Sequence, residues 1–399
     1  MTATAWRHSH ERLTRDHAAH IAIAAQFGGT VPVDSAITLR RLGLLQLDPL
    51  QPVAKAHRLT TLARLPRQTR VTDIDEHLWS AERPAAFETW VHAACLVPIE
   101  DWPLFRLARD RSRAAKWQPP SSVLREVLAV IANPEGAVIG DIEKGGTAGK
   151  GWNWSERKRA VEYLLRCGDV VCSARRATKR VYHLAEQRLP GSLLAADLSD
   201  VEILAEITRK ALHAMGIATA QDIATYYNLT KKDVAIGLEA TNATPIHVDG
   251  WDQPGWVTAS PHELDDSIPD HPLLIGPFDN LIWDRHRTRR VFGFDYTFEA
   301  YKPVAKRQYG YYVMVVLHQG RLAGRADLKR QSDTIEVLAA QPEEPSESGE
   351  FFGVLNQALG RLQDQVNAAP VKPRIGDSDA LVAVGSSPRP AELRGDHQR

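Results

Sequence analysis

The sequence predicts an α+β protein: tandem winged-helix (helix-turn-helix) domains followed by a small β-rich C-terminal domain. Three observations point there. Several segments share one order of elements, three helices and then two strands around a tight turn. That unit recurs at about 60 residues, the mark of a repeated module. Beyond residue 270 the texture changes to strand-like alternation.

Taken in order, residues 12–65 form the first and least regular unit. "TRDHAAHIAIAAQFGG" and "VDSAITLRRLG" have helical apolar spacing, and "LLQLDPL" (44–50) reads as a strand. A helical connector is expected over 66–120. The clearest unit spans 121–190: "SSVLREVLAVIA" opens on serines suited to N-capping, "VIGDIEK" gives a short second helix, and "SERKRAVEYLLRCG" ends at a glycine C-cap. "DVVCSAR" and "RVYHLA" then form a hairpin. Residues 198–260 repeat the order, with helices in "DVEILAEITRKALHAM", "TAQDIATYY" and "TKKDVAIGLEAT", the last capped by Thr230. There "PIHVDG" and "WVTAS" flank "WDQPG", a Pro/Gly turn where a wing tip belongs. Over 270–368, "RRVFGFDYTFEAYKP", "YGYYVMVVLHQGRLAGRADLKR" and "DTIEVLAA" read as strands, followed by a helix in "EFFGVLNQALGRLQDQVNAA". The stretch 370–399 is rich in Gly, Pro and Ser and is expected to be disordered.

Composition narrows the function classes. A chain of 399 residues with 43% hydrophobic and 25% charged residues is ordinary for a soluble protein of several domains. No apolar stretch approaches the roughly 20 residues that cross a bilayer, and the N-terminus has no apolar signal region. Cys95, Cys167 and Cys172 are too few and too scattered for a disulfide framework. The expected location is therefore the cytoplasm. Formal net charge is zero, with 49 basic and 49 acidic residues, but basic patches occur in "FRLARDRSRAAKW" and "WDRHRTRR". Such patches bind phosphates or merely solvate helix faces. His8, His10, His17 and His20 lack acidic or Cys partners at ligand spacing, so no metal is expected, and no other cofactor. "GGTAGKG" (145–151) does not match a phosphate-binding loop and reads as a flexible loop.

The strand "LLQLDPL" carries two polar side chains, Gln46 and Asp48. In an extended chain they point to one face, about 6.6 Å apart at Cα, and Pro49 biases Asp48 toward extended backbone. An amide and a carboxylate so placed can orient one water or one cationic centre; they can equally face solvent on a wing.

"RRLGLLQLDPLQPVAKAHRLTTLARL" (40–65) resembles the signature segment of the YcaQ/AlkZ-type DNA glycosylases, a winged-helix family that removes alkylated bases and unhooks interstrand crosslinks. "FETWVHAACLVPIEDWP" (87–103), "WSERKRAVEYLLRCGDVVCSARR" (154–176) and the long block from "GPFDNLIWDRHRTRR" to "ADLK" (276–329) are similar too. Departures are small: Gly276 stands where a hydroxyl residue is expected, and Lys55 where Arg is common. The resemblance makes Gln46-Leu47-Asp48 a Gln-x-Asp catalytic motif, with Asp48 activating water and stabilising the sugar cation, and Gln46 orienting that water. It implies double-stranded DNA with alkylated bases or crosslinks as partner, a monomer working near the nucleoid, and no membrane. Lys55, His57, Arg58, Arg285, Arg287, Arg289, Lys306 and Arg307 are the expected DNA-binding residues. His57 is open between a DNA or water contact and packing; Glu88, Trp90 and His92 fall in a matching block, with Trp90 read as core. The alternative is a non-catalytic winged-helix regulator, which would pair as a dimer on palindromic half-sites.

Overall fold

A computed structural model describes residues 12–80, 82–144, 154–259, 267–344 and 348–369. His8, His10, the Gly-rich loop and the stretch 370–399 lie outside them. In chain order the strands are β1 (Arg12–Leu13), β2 (Leu45–Gln46), β3 (Ala86–Trp90), β4 (Ala94–Pro98), β5 (Ala137–Val138), β6 (Val170–Arg176) and β7 (Lys179–Leu184). They continue with β8 (Thr244–Val248), β9 (Gly255–Val257), β10 (Leu273–Ile275), β11 (Val313–His318), β12 (Arg321–Gln331) and β13 (Thr334–Pro342). Four sheets result, ordered β1-β8-β9, β2-β4-β3, β5-β7-β6 and β10-β11-β12-β13. The chain is thus a mixed α+β protein.

Helices begin where short polar side chains can satisfy the first free backbone N–H groups. Ser155, Ser199, Thr219 and Thr230 each accept one, and the last three form full capping boxes. In the clearest unit, helices Ser121–Ile131, Ile139–Ile142 and Glu156–Cys167 precede the β6–β7 hairpin. Helices Asp200–Met215, Ala220–Tyr227 and Lys231–Ala240 precede β8–β9 in the same way.

Two expectations fail. The stretch 66–120 is not only helical: β3 and β4 form a hairpin there, closed by a bond from Val91 N to Ala93 O, and β4 pairs with β2. Its alternating apolar and β-branched residues favour a pleated surface. "RRVFGFDYTFEAYKP" is not a strand. It starts inside the helix Arg285–Phe292, where Asp284 accepts from the backbone N–H groups of His286 and Arg287 and Gly293 closes the helix at φ 67°. A strong cap and arginine's high helix propensity outweigh the aromatic texture.

What matters for the site is how β2 is held. Leu44 and Leu45, both fully buried, enter different cores. Leu45 joins the cluster formed with β10–β13 and the helix Ser348–Val366, whereas Leu44 joins Phe87, Val97 and the helices of 200–227. Burying one such side chain stabilises the fold by about 1.5–3 kcal/mol. The segment 276–284 adds polar ties: Asn280 donates from Nδ2 to Leu44 O (2.9 Å) and to the Tyr226 hydroxyl (2.6 Å), which itself donates to Leu42 O. A two-residue strand is thereby fixed from both sides.

Candidate active site at the end of β2

Strand β2 is an edge of its sheet, with Gln46 paired to Cys95. One more bond, Leu47 N to Ala94 O, follows before the ladder stops. Asp48 lies beyond the strand, so the regular same-face geometry is not what presents it. Its Oδ1 accepts from Leu50 N at 2.9 Å, an Asx turn around Pro49. Pro49 has no N–H to offer and the carboxylate captures the next donor, so pairing cannot continue. Gln46 and Asp48 are both half-buried.

Asp48 differs from the other sheltered acids. Asp279 is paired with Arg64, Asp222 with Arg290, and Glu88 with Arg175 and Arg180. Asp327 and Glu299 accept backbone N–H groups. Among the described residues Asp48 has no cation partner, and its second oxygen is uncommitted. Burial raises its pKa, and the Leu50 N–H opposes this only in part. A sheltered carboxylate left uncompensated makes Asp48 a candidate for chemistry. Nearby, Asp48's charge adds to the burial that raises the hydroxyls of Tyr301, whose ring is 76% exposed, and Tyr312, which is buried.

The raised pKa carries a stability consequence. A carboxyl whose folded pKa lies above its unfolded value binds its proton more tightly when folded. Stability from this group therefore falls as pH rises through that window. Asp48→Asn is expected to melt above wild type at pH 7, and the gain should shrink as pH falls through the raised folded pKa and be gone below about 4, the unfolded carboxylate value. Thermal melts across pH check this; a lower melting temperature at pH 7 would show that the carboxylate supports the fold.

Gln46 touches a third group. His92, in the β3–β4 turn, sets Nε2 3.3 Å from Gln46 Oε1 and Nδ1 3.4 Å from Tyr226 O. Its ring stacks on Trp283 at 3.7 Å with 5° between planes. Burial lowers its pKa to about 4, against the pull of the Tyr226 carbonyl and the Asp284 charge. At neutral pH it is an uncharged imidazole.

The expected DNA-binding residues scatter. Lys55, half-buried at the start of the helix Ala56–Leu62, has its pKa lowered by burial first and by Arg58 and Arg175 next. His57 packs in the interior rather than facing DNA: it is 2% exposed, edge-on to Trp79 at 5.2 Å, and bonded through Nε2 to Asp75 (3.1 Å). Burial pushes its pKa down. Arg58 forks onto the same Asp75 at 3.1 and 2.6 Å, half-buried. Burial alone would raise Asp75; the bonds from His57 and Arg58 win and hold it well below the usual range.

Arg287, expected at the DNA, is likewise an interior residue, 3% exposed. Its guanidinium donates to Met215 O (2.9 Å) and Ile217 O (3.1 Å), the open end of the helix Asp200–Met215. Arg285 is spent on Pro277 O (2.8 Å) and lies 4.2 Å over the Tyr296 ring. Arg289 is exposed and paired with Asp295. Lys306 is exposed in a short turn, and Arg307 donates to Lys302 O while lying 5.0 Å from the Tyr311 ring centre. Trp90 is not core: it is 45% exposed, with Arg166 5.6 Å from its ring centre. A cavity of about 250 Å³ lined by Trp90, Trp102, Arg109 and Arg166 does not reach Gln46 or Asp48. Among the described residues no group of His, Cys, Asp and Glu could hold a metal, and no helix is long and apolar enough to cross a membrane.

His92, Trp283 and Tyr226 are the site neighbours that sequence reading did not assign. The only signal was that "FETWVH" and "GPFDNLIWD" both fall in blocks of the family resemblance. Comparison with known proteins bears on the whole arrangement. The model of a family described as DNA glycosylase AlkZ-like matches residues 39–364. The solved Streptomyces sahachiroi DNA glycosylase AlkZ is similar in fold, with a TM-score of 0.57 at 15% identity, over 90% of this chain and 98% of that one.

Proposed function

The chain belongs to the AlkZ-like DNA glycosylase family and is an enzyme acting on N-glycosyl bonds, and from that premise we propose its substrate and mechanism. The substrate is a purine alkylated at N7 or N3 in double-stranded DNA, including one tethered across the duplex as an interstrand crosslink. One observation carries the reading: Asp48, half-buried and without a cation partner among the described residues, stands two residues beyond Gln46 at an open strand end.

The chemistry needs no more than this. A purine alkylated at N7 or N3 is cationic, so the C1′–N bond can break with both electrons passing to the base, which leaves neutral. No protein acid has to protonate the leaving group, unlike most glycoside hydrolysis. The sugar becomes oxocarbenium-like, and the Asp48 carboxylate stabilises that charge. Water then adds at C1′, its orientation set by Gln46 and its proton accepted by Asp48.

A crosslinked base cannot be swung into a closed pocket as most glycosylases require. The open strand end suits a target that stays tethered. In this reading the two units at 121–190 and 198–260, each with three helices and a hairpin, act as winged helices around the duplex, and one copy suffices. Lys55, Arg58, Arg289, Lys306 and Arg307 are the phosphate contacts, which makes affinity salt dependent and nearly sequence independent. Such an enzyme works in the cytoplasm, at the nucleoid.

The test is a duplex carrying one 7-methylguanine, incubated with the protein and then heated with alkali. Strand cleavage at the lesion only after alkali is the expected result. An intact lesion strand would remove alkylated purines from the substrate range.

A further inference from the structure

The contact between Gln46 and His92 cannot be read as an amide oxygen facing a protonated Nε2. Tyr226 lies in the last turn of the helix Ala220–Tyr227, where carbonyls lack intrahelical donors. A carbonyl only accepts, so the bond at Tyr226 O requires the proton on Nδ1 of His92. The ring is sheltered between Trp283 and the β3–β4 turn, and burial lowers its pKa to about 4, so at neutral pH it has one proton to place. Asp284, the acid whose charge reaches the ring, is engaged with the N–H groups of His286 and Arg287. Nε2 therefore carries a lone pair. Two acceptors cannot bond, and an amide's oxygen and nitrogen exchange places on a half-turn. The structure places Gln46 Oε1 at this contact; with Nδ1 protonated, a half-turn of the amide brings its NH₂ to His92 instead.

We propose that His92 is a positioning residue that turns the Gln46 amide so that its carbonyl oxygen faces the water beside Asp48. This rests on the catalytic reading of Gln46 given above. A water held by two acceptors, the Gln46 carbonyl and the Asp48 carboxylate, has both hydrogens committed. Its lone pair is then directed at the sugar carbon. With the amide turned the other way, Gln46 would donate to the water and occupy the lone pair that must attack. Trp283 fixes the imidazole plane and Tyr226 fixes the tautomer. Three distant segments thus set one dihedral angle.

Imidazole ¹⁵N spectra of the histidine-labelled wild-type protein test this directly, with His92→Phe used to assign the signals. The expected result is a neutral ring protonated on Nδ1; an Nε2-protonated or doubly protonated ring would overturn the proposal. Single-turnover release of 7-methylguanine supplies a second, independent readout. His92→Phe, which keeps an aromatic ring against Trp283, should slow release about tenfold with DNA affinity unchanged, since misplacement of a reacting group is felt at this scale. His92→Gln, which can still offer an acceptor to Gln46, should recover most of the rate. The double variant Gln46→Ala/His92→Phe should be no slower than Gln46→Ala alone, because residues acting through one another are not additive. Multiplied losses in the double variant, or a wild-type rate for His92→Phe, would overturn the relay. A wild-type rate for Gln46→Ala would instead overturn the catalytic reading of Gln46, and the relay with it.

Discussion

Asp48→Asn is expected to slow the release of 7-methylguanine by about 10²- to 10³-fold, the usual loss when one preorganised electrostatic group is removed from a developing charge. The substitution keeps the shape of the side chain and its bond from Leu50 N. In the proposed mechanism it takes away the charge that faces the sugar and the acceptor for the water's proton. Affinity for DNA should stay level or rise slightly, since one negative charge near the phosphates has gone. Gln46→Ala should cost less, because water can still be placed imperfectly beside the carboxylate.

The second large effect concerns the frame. Arg64 and Asp279 form a pair whose side chains are both fully buried, bonded twice at 2.8 Å. The guanidinium also donates to Gln26 Oε1 (2.6 Å) and Thr60 O (2.7 Å) and lies 4.2 Å over the Phe27 ring. Asp279 also accepts from Leu281 N at 2.9 Å. Asp279→Ala leaves a buried cation without its counter-charge, and such breaks cost about 3–5 kcal/mol. Against a total stability of about 5–15 kcal/mol this is a large fraction. Urea unfolding should show it as a lowered midpoint. A double replacement, Arg64→Met with Asp279→Leu, should lose much less, because no charge remains to be stranded. If the single variant unfolds at the wild-type midpoint, water reaches Arg64 and the pair does not brace the segment 276–284.

Much of this was legible in the chain itself, and the misses share a cause. Capping residues and helical spacing located the helices of 121–260 because those signals are local. Gln46 and Asp48 stood out as polar side chains in an apolar run. The β3–β4 hairpin did not, since its turn, Val91 to Ala93, has no Gly, Pro or Asn to mark it. The arginines of 285–290 look alike in sequence; only tertiary structure sends Arg287 inward to helix-end carbonyls and leaves Arg289 outside. His57 and Arg58, adjacent and both basic, meet the same acid from different depths. His92 was hardest to read. The role proposed for it depends on a carbonyl 134 residues away and an amide 46 residues away, partners that no local pattern specifies.

Everything functional turns on whether the Asp48 carboxylate takes part in breaking the N-glycosyl bond. The most direct measurement is single-turnover release of 7-methylguanine from a duplex by wild type and Asp48→Asn, at pH 7 and equal folded concentration, with enzyme above the concentration that saturates binding. The predicted outcome is a rate about 10²- to 10³-fold lower for Asp48→Asn with DNA affinity preserved. Equal rates would contradict it and leave Asp48 a solvent-facing turn residue.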